Sequence, residues 1–195
     1  MLNHGVWYKL TNKKKRAVLA SISGAHNAFS LSLYNIKAHL QSVEDVNKHW
    51  HIDVLQQPLI TKVNESREFK NFLSGLKNDY DVIAFPCYMW GIEYIKNAIQ
   101  ALKKTNRKSW IVVGGPEISS DWIVEGRYEN LLADIFVVGN GEKAFIDILK
   151  FYDSRNGLDL SPDIYFGDKF RAKQEVSDSM IINALDLIEK RYNYN

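Results

Sequence analysis

The chain has 195 residues, 46% of them hydrophobic and 25% charged, which is enough apolar side chain to bury the core of one ordinary globular domain. Its 25 basic and 23 acidic residues nearly cancel, so it lacks the broad positive field of a dedicated nucleic-acid binder. A single cysteine, Cys87, excludes an intrachain disulfide; without a secretory leader pattern or an apolar run near the roughly 20 residues of a spanning helix, the sequence reads as cytoplasmic with no membrane partner.

Arg16 to Ile22 is a short apolar run with a small-residue exit, Ser23-Gly24-Ala25, followed by Leu31, Leu33, Tyr34, Ile36 and Leu40 at helical spacing. The dense basic run just before it, Lys13 to Arg16, reads as a solvated strand entry. Trp50 to Leu55 alternates like a strand and stops at Pro58; Phe69, Phe72, Leu73 and Leu76 then mark a second helix, with Gly75 and Asn78 signalling its end. Asp81 to Phe85 predicts a buried strand closed by Pro86, and Ile92, Ile95, Ile99 and Leu102 predict the helix after it, with Lys103-Lys104 in its last turn. Trp110 to Val113 predicts a fourth strand running into Gly114-Gly115-Pro116-Glu117, with a less regular helix about Ile123, Leu131 and Leu132. A fifth strand at Asp134 to Val138 breaks at Gly139-Asn140-Gly141-Glu142 before a helix carrying Phe145, Ile148, Leu149 and Tyr152. From Gly157 onward the pattern changes: a short strand at Ile164 to Phe166 lies between turns, and Met180 to Arg191 reads as a terminal helix outside the main sheet.

Five short strands separated by helices require crossovers, which predicts an α/β fold: a three-layer, doubly wound parallel sheet, flavodoxin-like or Rossmann-like, in the order 2-1-3-4-5. Residues 1–157 are expected to form this domain and 158–195 a short C-terminal extension. In such sheets a ligand lies beyond the carboxyl ends of the strands, which directs attention to the four loops there. They are Ser23 to Ala28, Pro86 to Gly91, Gly114 to Glu117 and Gly139 to Glu142. Glycines at strand exits let the backbone approach a flat or bulky ligand, although tight-turn geometry alone also accounts for them.

Three segments, DVIAFPCYMWGIEYIKNAI, WIVVGGPEIS and ADIFVVGNGEKAFIDIL, resemble the N-terminal cobalamin-binding domain of cobalamin-dependent radical SAM enzymes. There a Cys-Tyr-x-Trp-like segment follows the third strand, Val-Gly-Gly-Pro-Glu the fourth and Val-x-Gly-x-Gly-Glu the fifth, and all three occur here in order. The resemblance covers residues 16–155, more weakly around His26 to Leu31. It implies a cobalamin-binding module whose cofactor contacts are His26, Cys87, Tyr88, Trp90, Gly114, Gly115, Pro116, Glu117, Gly139, Gly141 and Glu142, with the glycine pairs passing the nucleotide tail over the sheet edge. It also implies that Gly115→Trp abolishes cofactor retention without unfolding the domain.

His26 is the candidate axial cobalt ligand, but the D-x-H-x-x-G frame of the mutase and methionine-synthase type meets Gly24 and Phe29 at its flanking positions, so a lower face left to water or apolar groups is the preferred expectation. Cys87 at a helix start has a second reading as a reactive thiol, opposed by its apolar neighbours Phe85, Pro86 and Met89. One cysteine cannot supply the three thiolates of a radical SAM iron–sulfur cluster, so the chain is not expected to be catalytic alone. The resemblance implies a radical SAM catalytic domain or subunit acting in trans, or another protein partner, and no nucleic acid. The alternative is a cofactor-free interaction or accessory module that keeps the cobalamin-binding fold.

Overall fold

A computed structural model describes residues 13–24, 30–57, 66–77, 79–105, 108–154 and 160–167. Strands β1 (Lys15–Ile22), β2 (Trp50–Gln57), β3 (Val82–Pro86), β4 (Trp110–Gly114) and β5 (Ile135–Val137) are parallel. They lie side by side in the order β2-β1-β3-β4-β5, as the alternating pattern demands, and β6 (Ile164–Phe166) adds antiparallel on β5. The sheet thus has six strands where the sequence pattern predicts five. The physical reason is the outer edge of β5, whose flanking backbone needs partners: the Val138 amide donates to the Asp163 carbonyl at 2.9 Å and the Gly167 amide to the Asp134 carbonyl at 2.8 Å.

The period-two alternation of each strand sorts its side chains onto two helical layers. Val18, Ala20, Ile83, Phe85, Ile111 and Val113 face a core shared with α3 (Arg67–Leu76) and α4 (Ile92–Lys104). Ala17, Leu19, Val82, Ala84, Val112 and Val137 face the other core, with α1 (Leu31–Ser42), α2 (Glu44–His49) and α6 (Gly141–Ser154). Each fully buried leucine, isoleucine or phenylalanine here contributes about 1.5–3 kcal/mol of transfer free energy.

Two details depart from expectation. Val43 adopts an extended conformation, and the chain restarts at once as α2, whose acidic first turn and basic last turn suit the helix dipole. The helix expected from Ile123 to Leu132 is instead split into α5 (Ser120–Val124) and a 3-10 turn at Glu129–Leu131, after which Leu132 takes φ 55. Among the described residues no helix is long and apolar enough to cross a membrane.

The strands expected to begin at Asp81 and Asp134 begin one residue later, because each aspartate reaches sideways instead. The Asp81 carboxylate accepts the Arg16 amide at 2.9 Å and the Tyr152 hydroxyl at 3.1 Å. The buried Asp134 carboxylate accepts the Ile111 amide at 2.8 Å and Lys103 Nζ at 2.7 Å. These carboxylates stitch the amino ends of neighbouring strands, which leaves the carboxyl ends to form the site.

Candidate functional site

Four loops leave the carboxyl edge, and the residues that shape them interlock. Past β3, the Cys87 amide donates to the Gly114 carbonyl at 2.6 Å, and the Glu117 amide returns to the Cys87 carbonyl at 3.2 Å. Gly115 sits between at φ 103, and a Cβ there would lie 3.0 Å from both the nitrogen and the oxygen of Cys87. Any side chain would be strained by the backbone conformation and blocked by immovable backbone atoms. The expectation that Gly115→Trp spares the fold is therefore corrected: that substitution breaks the lacing of the β3 and β4 loops. Gly139, at φ 77, is different, since a Cβ there meets nothing within 4 Å and the turn opens to solvent.

Between these loops lies a cavity of about 530 Å³, within the roughly 300–1,000 Å³ range of small-molecule sites. Its floor is Leu19, Ala84, Val112 and Val137, one from each of four neighbouring strands, and its walls include Leu33 and Ile36 of α1 and Phe145 of α6. The rim carries Tyr88, Gly114, Gly115, Pro116 and the run Gly139-Asn140-Gly141-Glu142. The two double-glycine loops thus border one cavity.

Tyr88 is held from two sides: its hydroxyl lies 3.1 Å from Ser32 Oγ, itself 3.0 Å from Ser30 Oγ, and its ring stacks on Trp90 at 4.9 Å and 3°. The Trp90 indole in turn occupies the space that a side chain at Gly24 would need, 2.9 Å from the ideal Cβ. Trp90 is 46% and Met89 75% exposed, and with exposed Leu31 and Tyr34 of α1 they add apolar surface at the carboxyl edge.

Seven of the sequence-derived site residues line the cavity: Tyr88, Gly114, Gly115, Pro116, Gly139, Gly141 and Glu142. Trp90, Cys87 and Glu117 are not among its lining residues, and Cys87 is fully buried in the core against α3 and α4. His26, the candidate axial ligand, lies outside the described residues. Sequence reasoning missed Ser32, Asn140 and the whole floor; strand alternation carried a signal for the floor, because Leu19, Ala84, Val112 and Val137 are all core-facing residues on one side of the sheet.

Glu142 is the one formally charged side chain among the described lining residues, and it sits in the first turn of α6, where the dipole favours it. Ser21, one pleat nearer the exit than Leu19 on the same face, has a buried hydroxyl without a hydrogen-bond partner. Among the described residues no group of three or more His, Cys, Asp or Glu is placed to hold a metal ion.

Burial pushes the Cys87 thiol up to about 12, with the Glu117 charge adding to the effect, which removes the reactive-thiolate reading. The native protein at pH 8 is expected to resist iodoacetamide for hours and to be carbamidomethylated within minutes once unfolded in urea. Rapid labelling of the folded protein, read by mass spectrometry, would contradict this burial.

No protein-family model and no curated protein sequence matches the chain. Solved structures do. The structure of the cobalamin-dependent S-adenosylmethionine radical enzyme OxsB with aqua-cobalamin and S-adenosylmethionine bound is similar over 80% of this chain and 21% of that one, with a TM-score of 0.57 at 16% identity. The radical S-adenosylmethionine methyltransferase TsrM from Kitasatospora setae, with cobalamin and a 4Fe-4S cluster bound, is similar over 80% of this chain and 28% of its own, with a TM-score of 0.57 at 11% identity. The chain therefore shares its fold with a part of cobalamin-dependent radical enzymes and spans less than a third of their length.

Proposed function

We propose that this chain is a cobalamin-binding module that serves a radical SAM catalytic partner, either a further domain or a subunit acting in trans. The observation that carries this reading is the single cavity bordered jointly by Gly114 to Pro116 and Gly139 to Glu142. Its residues suit the extended arm of a corrinoid. The apolar floor accommodates a flat base, while the glycine-rich rims, Asn140 and the Ser32–Tyr88 hydroxyls offer polar groups to the arm's sugar and amides. Backbone amides at the start of α6 suit a singly charged phosphodiester. A phosphomonoester dianion such as that of a flavin mononucleotide is a poorer match, because Glu142 repels it and no basic side chain lines the described cavity.

The exposed Leu31, Tyr34, Met89 and Trp90 at the same edge would hold the apolar parts of the corrin ring. When bound, cobalamin supplies methyl-transfer or radical chemistry that the side chains of this chain lack. What the chain itself does is hold the arm and keep water from its apolar end. The exposed apolar side chains at this edge also support a protein partner closing over the site. They are the feature that favours the second reading, an interaction module that has kept the fold without the cofactor.

Mixing the purified protein with hydroxocobalamin, removing free ligand by gel filtration and recording the visible spectrum separates the two. Corrin absorbance near one equivalent per chain is expected. A colourless protein fraction at micromolar concentrations would defeat the cobalamin reading and leave the interaction module.

A further inference from the structure

The hydroxyl of Ser21 is buried beside the cavity, on a residue 1% exposed, and has no hydrogen-bond partner. A buried hydroxyl left unpaired is costly and uncommon, so it points to a partner that arrives from outside the chain. Strand phase puts Ser21 on the face that carries Leu19 of the cavity floor, and the β1–β2 register sets it beside Gln56. The Gln56 amide joins the exit of β1 to the start of α1: its Oε1 accepts the Ser30 amide at 3.1 Å, and its Nε2 donates to Ser23 Oγ. Ser21 therefore lies beneath the first turn of α1.

That turn is built to receive an anion. Helix α1 has 12 residues, no acidic residue in its first turn, and an N-cap, Ser30, whose side chain caps no amide. The Ser30 hydroxyl lies instead 3.0 Å from Ser32 Oγ, and Ser32 lines the cavity with its Oγ 3.1 Å from the Tyr88 hydroxyl. The Leu33 amide is the first that the helix pairs, to the Ser30 carbonyl at 3.1 Å, and the amides of Leu31 and Ser32 precede it. Serine hydroxyls, these amides and the positive end of the helix dipole thus meet above Ser21 as neutral donors. The start of α6 borders the same cavity, but Glu142 in its first turn offsets its field. Of the two helix starts, that of α1 is the better seat for a negative charge.

We propose that the start of α1, with Ser21 beneath it, is an oxyanion subsite of the cavity that takes a phosphodiester. A single negative charge suits donors that are all neutral, and a phosphoryl oxygen gives the Ser21 hydroxyl the acceptor it lacks. The identity of the natural ligand rests on the cobalamin reading, in which the group is the phosphodiester of the corrinoid arm.

Dimethyl phosphate, a singly charged phosphodiester without base, sugar or corrin, is the probe, titrated into the full 195-residue chain and followed by NMR of the backbone amides. Saturable shifts at Leu31 and Ser32 in the millimolar range are expected, reversed by hydroxocobalamin. Ser21→Ala should weaken binding by about tenfold or more, the effect of one hydrogen bond to a charged group. The same variant without ligand should melt at the parent temperature or above, because the hydroxyl it deletes bonds nothing in the chain. No saturable shift at the start of α1, or equal affinity in Ser21→Ala, would overturn the proposal. So would a lower melting temperature of the ligand-free variant, which would make the hydroxyl structural. A protein that binds dimethyl phosphate but retains no hydroxocobalamin keeps the subsite and defeats the cobalamin reading. One that holds both at once overturns the subsite as the seat of the arm.

Discussion

Replacing Asp134 by alanine is expected to destabilise the protein by about 3 kcal/mol, the low end of the roughly 3–5 kcal/mol seen when a buried ion pair loses one partner. The carboxylate is 1% exposed and serves two elements at once: the Ile111 amide of β4 and the ammonium of Lys103 at the end of α4. Alanine leaves the Ile111 amide without its acceptor inside the sheet, which costs about 1–3 kcal/mol by itself. The lysine side chain is 27% exposed and can turn toward water, so its loss is partial and the low end of the range applies. For a chain of this size the change corresponds to a fall in melting temperature of roughly 6–12 °C. The substitution Asp134→Asn keeps an acceptor for Ile111 and should recover about half of the loss, a comparison that urea unfolding of the two variants would make. An alanine variant within about 0.5 kcal/mol of the parent would mean that the pair does not hold the α4–β4–β5 junction together, since that is the ordinary size of a surface substitution.

The same junction shows how the sequence announces some features and hides others. The strands are legible because runs such as Val82 to Phe85 and Ile111 to Val113 are short, apolar and closed by proline or glycine. What periodicity cannot reveal is that Asp81 and Asp134 bond sideways to the next strand, a contact between residues far apart in the chain. Helix α2 escapes sequence reading because six residues with one buried valine carry too little periodic signal. The β6 segment reads as a strand but not as part of the sheet, since edge pairing depends on which edge is vacant.

At the cavity, glycine placement points to the loops that border it, whereas the choice among neighbouring side chains turns on strand phase. The alternation of β3 persists past its end: Ala84, Pro86 and Tyr88 line the cavity while Cys87 turns into the opposite core, as does Phe85, although Phe85 also borders the cavity. Counting by twos from Ala84 separates Tyr88 from Cys87 without coordinates. Trp90 follows a different logic, as it packs on the outer side of Tyr88 over the bare backbone of Gly24. That relation needs a contact between the β1 and β3 loops that no local pattern encodes.

The strongest effect on binding is expected from Ala84→Leu, because Ala84 occupies the floor of the cavity between Leu19 and Val112 in strand register. Ala84 belongs to the core facing α1 and α6 but also lines the cavity, so a leucine there has the cavity to extend into and the ligand-free protein should melt close to the parent temperature. Added apolar burial is worth up to about 0.8 kcal/mol per methylene, set against the roughly 1–3 kcal/mol cost of overpacking wherever neighbours must give way. Hydroxocobalamin binding should fall at least 100-fold, or about 2.8 kcal/mol, since on the proposed reading the arm would lose the floor for its apolar end. Gly115 cannot serve this purpose, because substitution there distorts the loops themselves. If Ala84→Leu folds normally and retains corrin absorbance with unchanged affinity in a gel-filtration titration, the cavity is not where the arm enters, and cobalamin, if bound, sits wholly on the exposed edge. Loss of binding with the fold intact would place the arm over β3, since nothing else about the site has been altered.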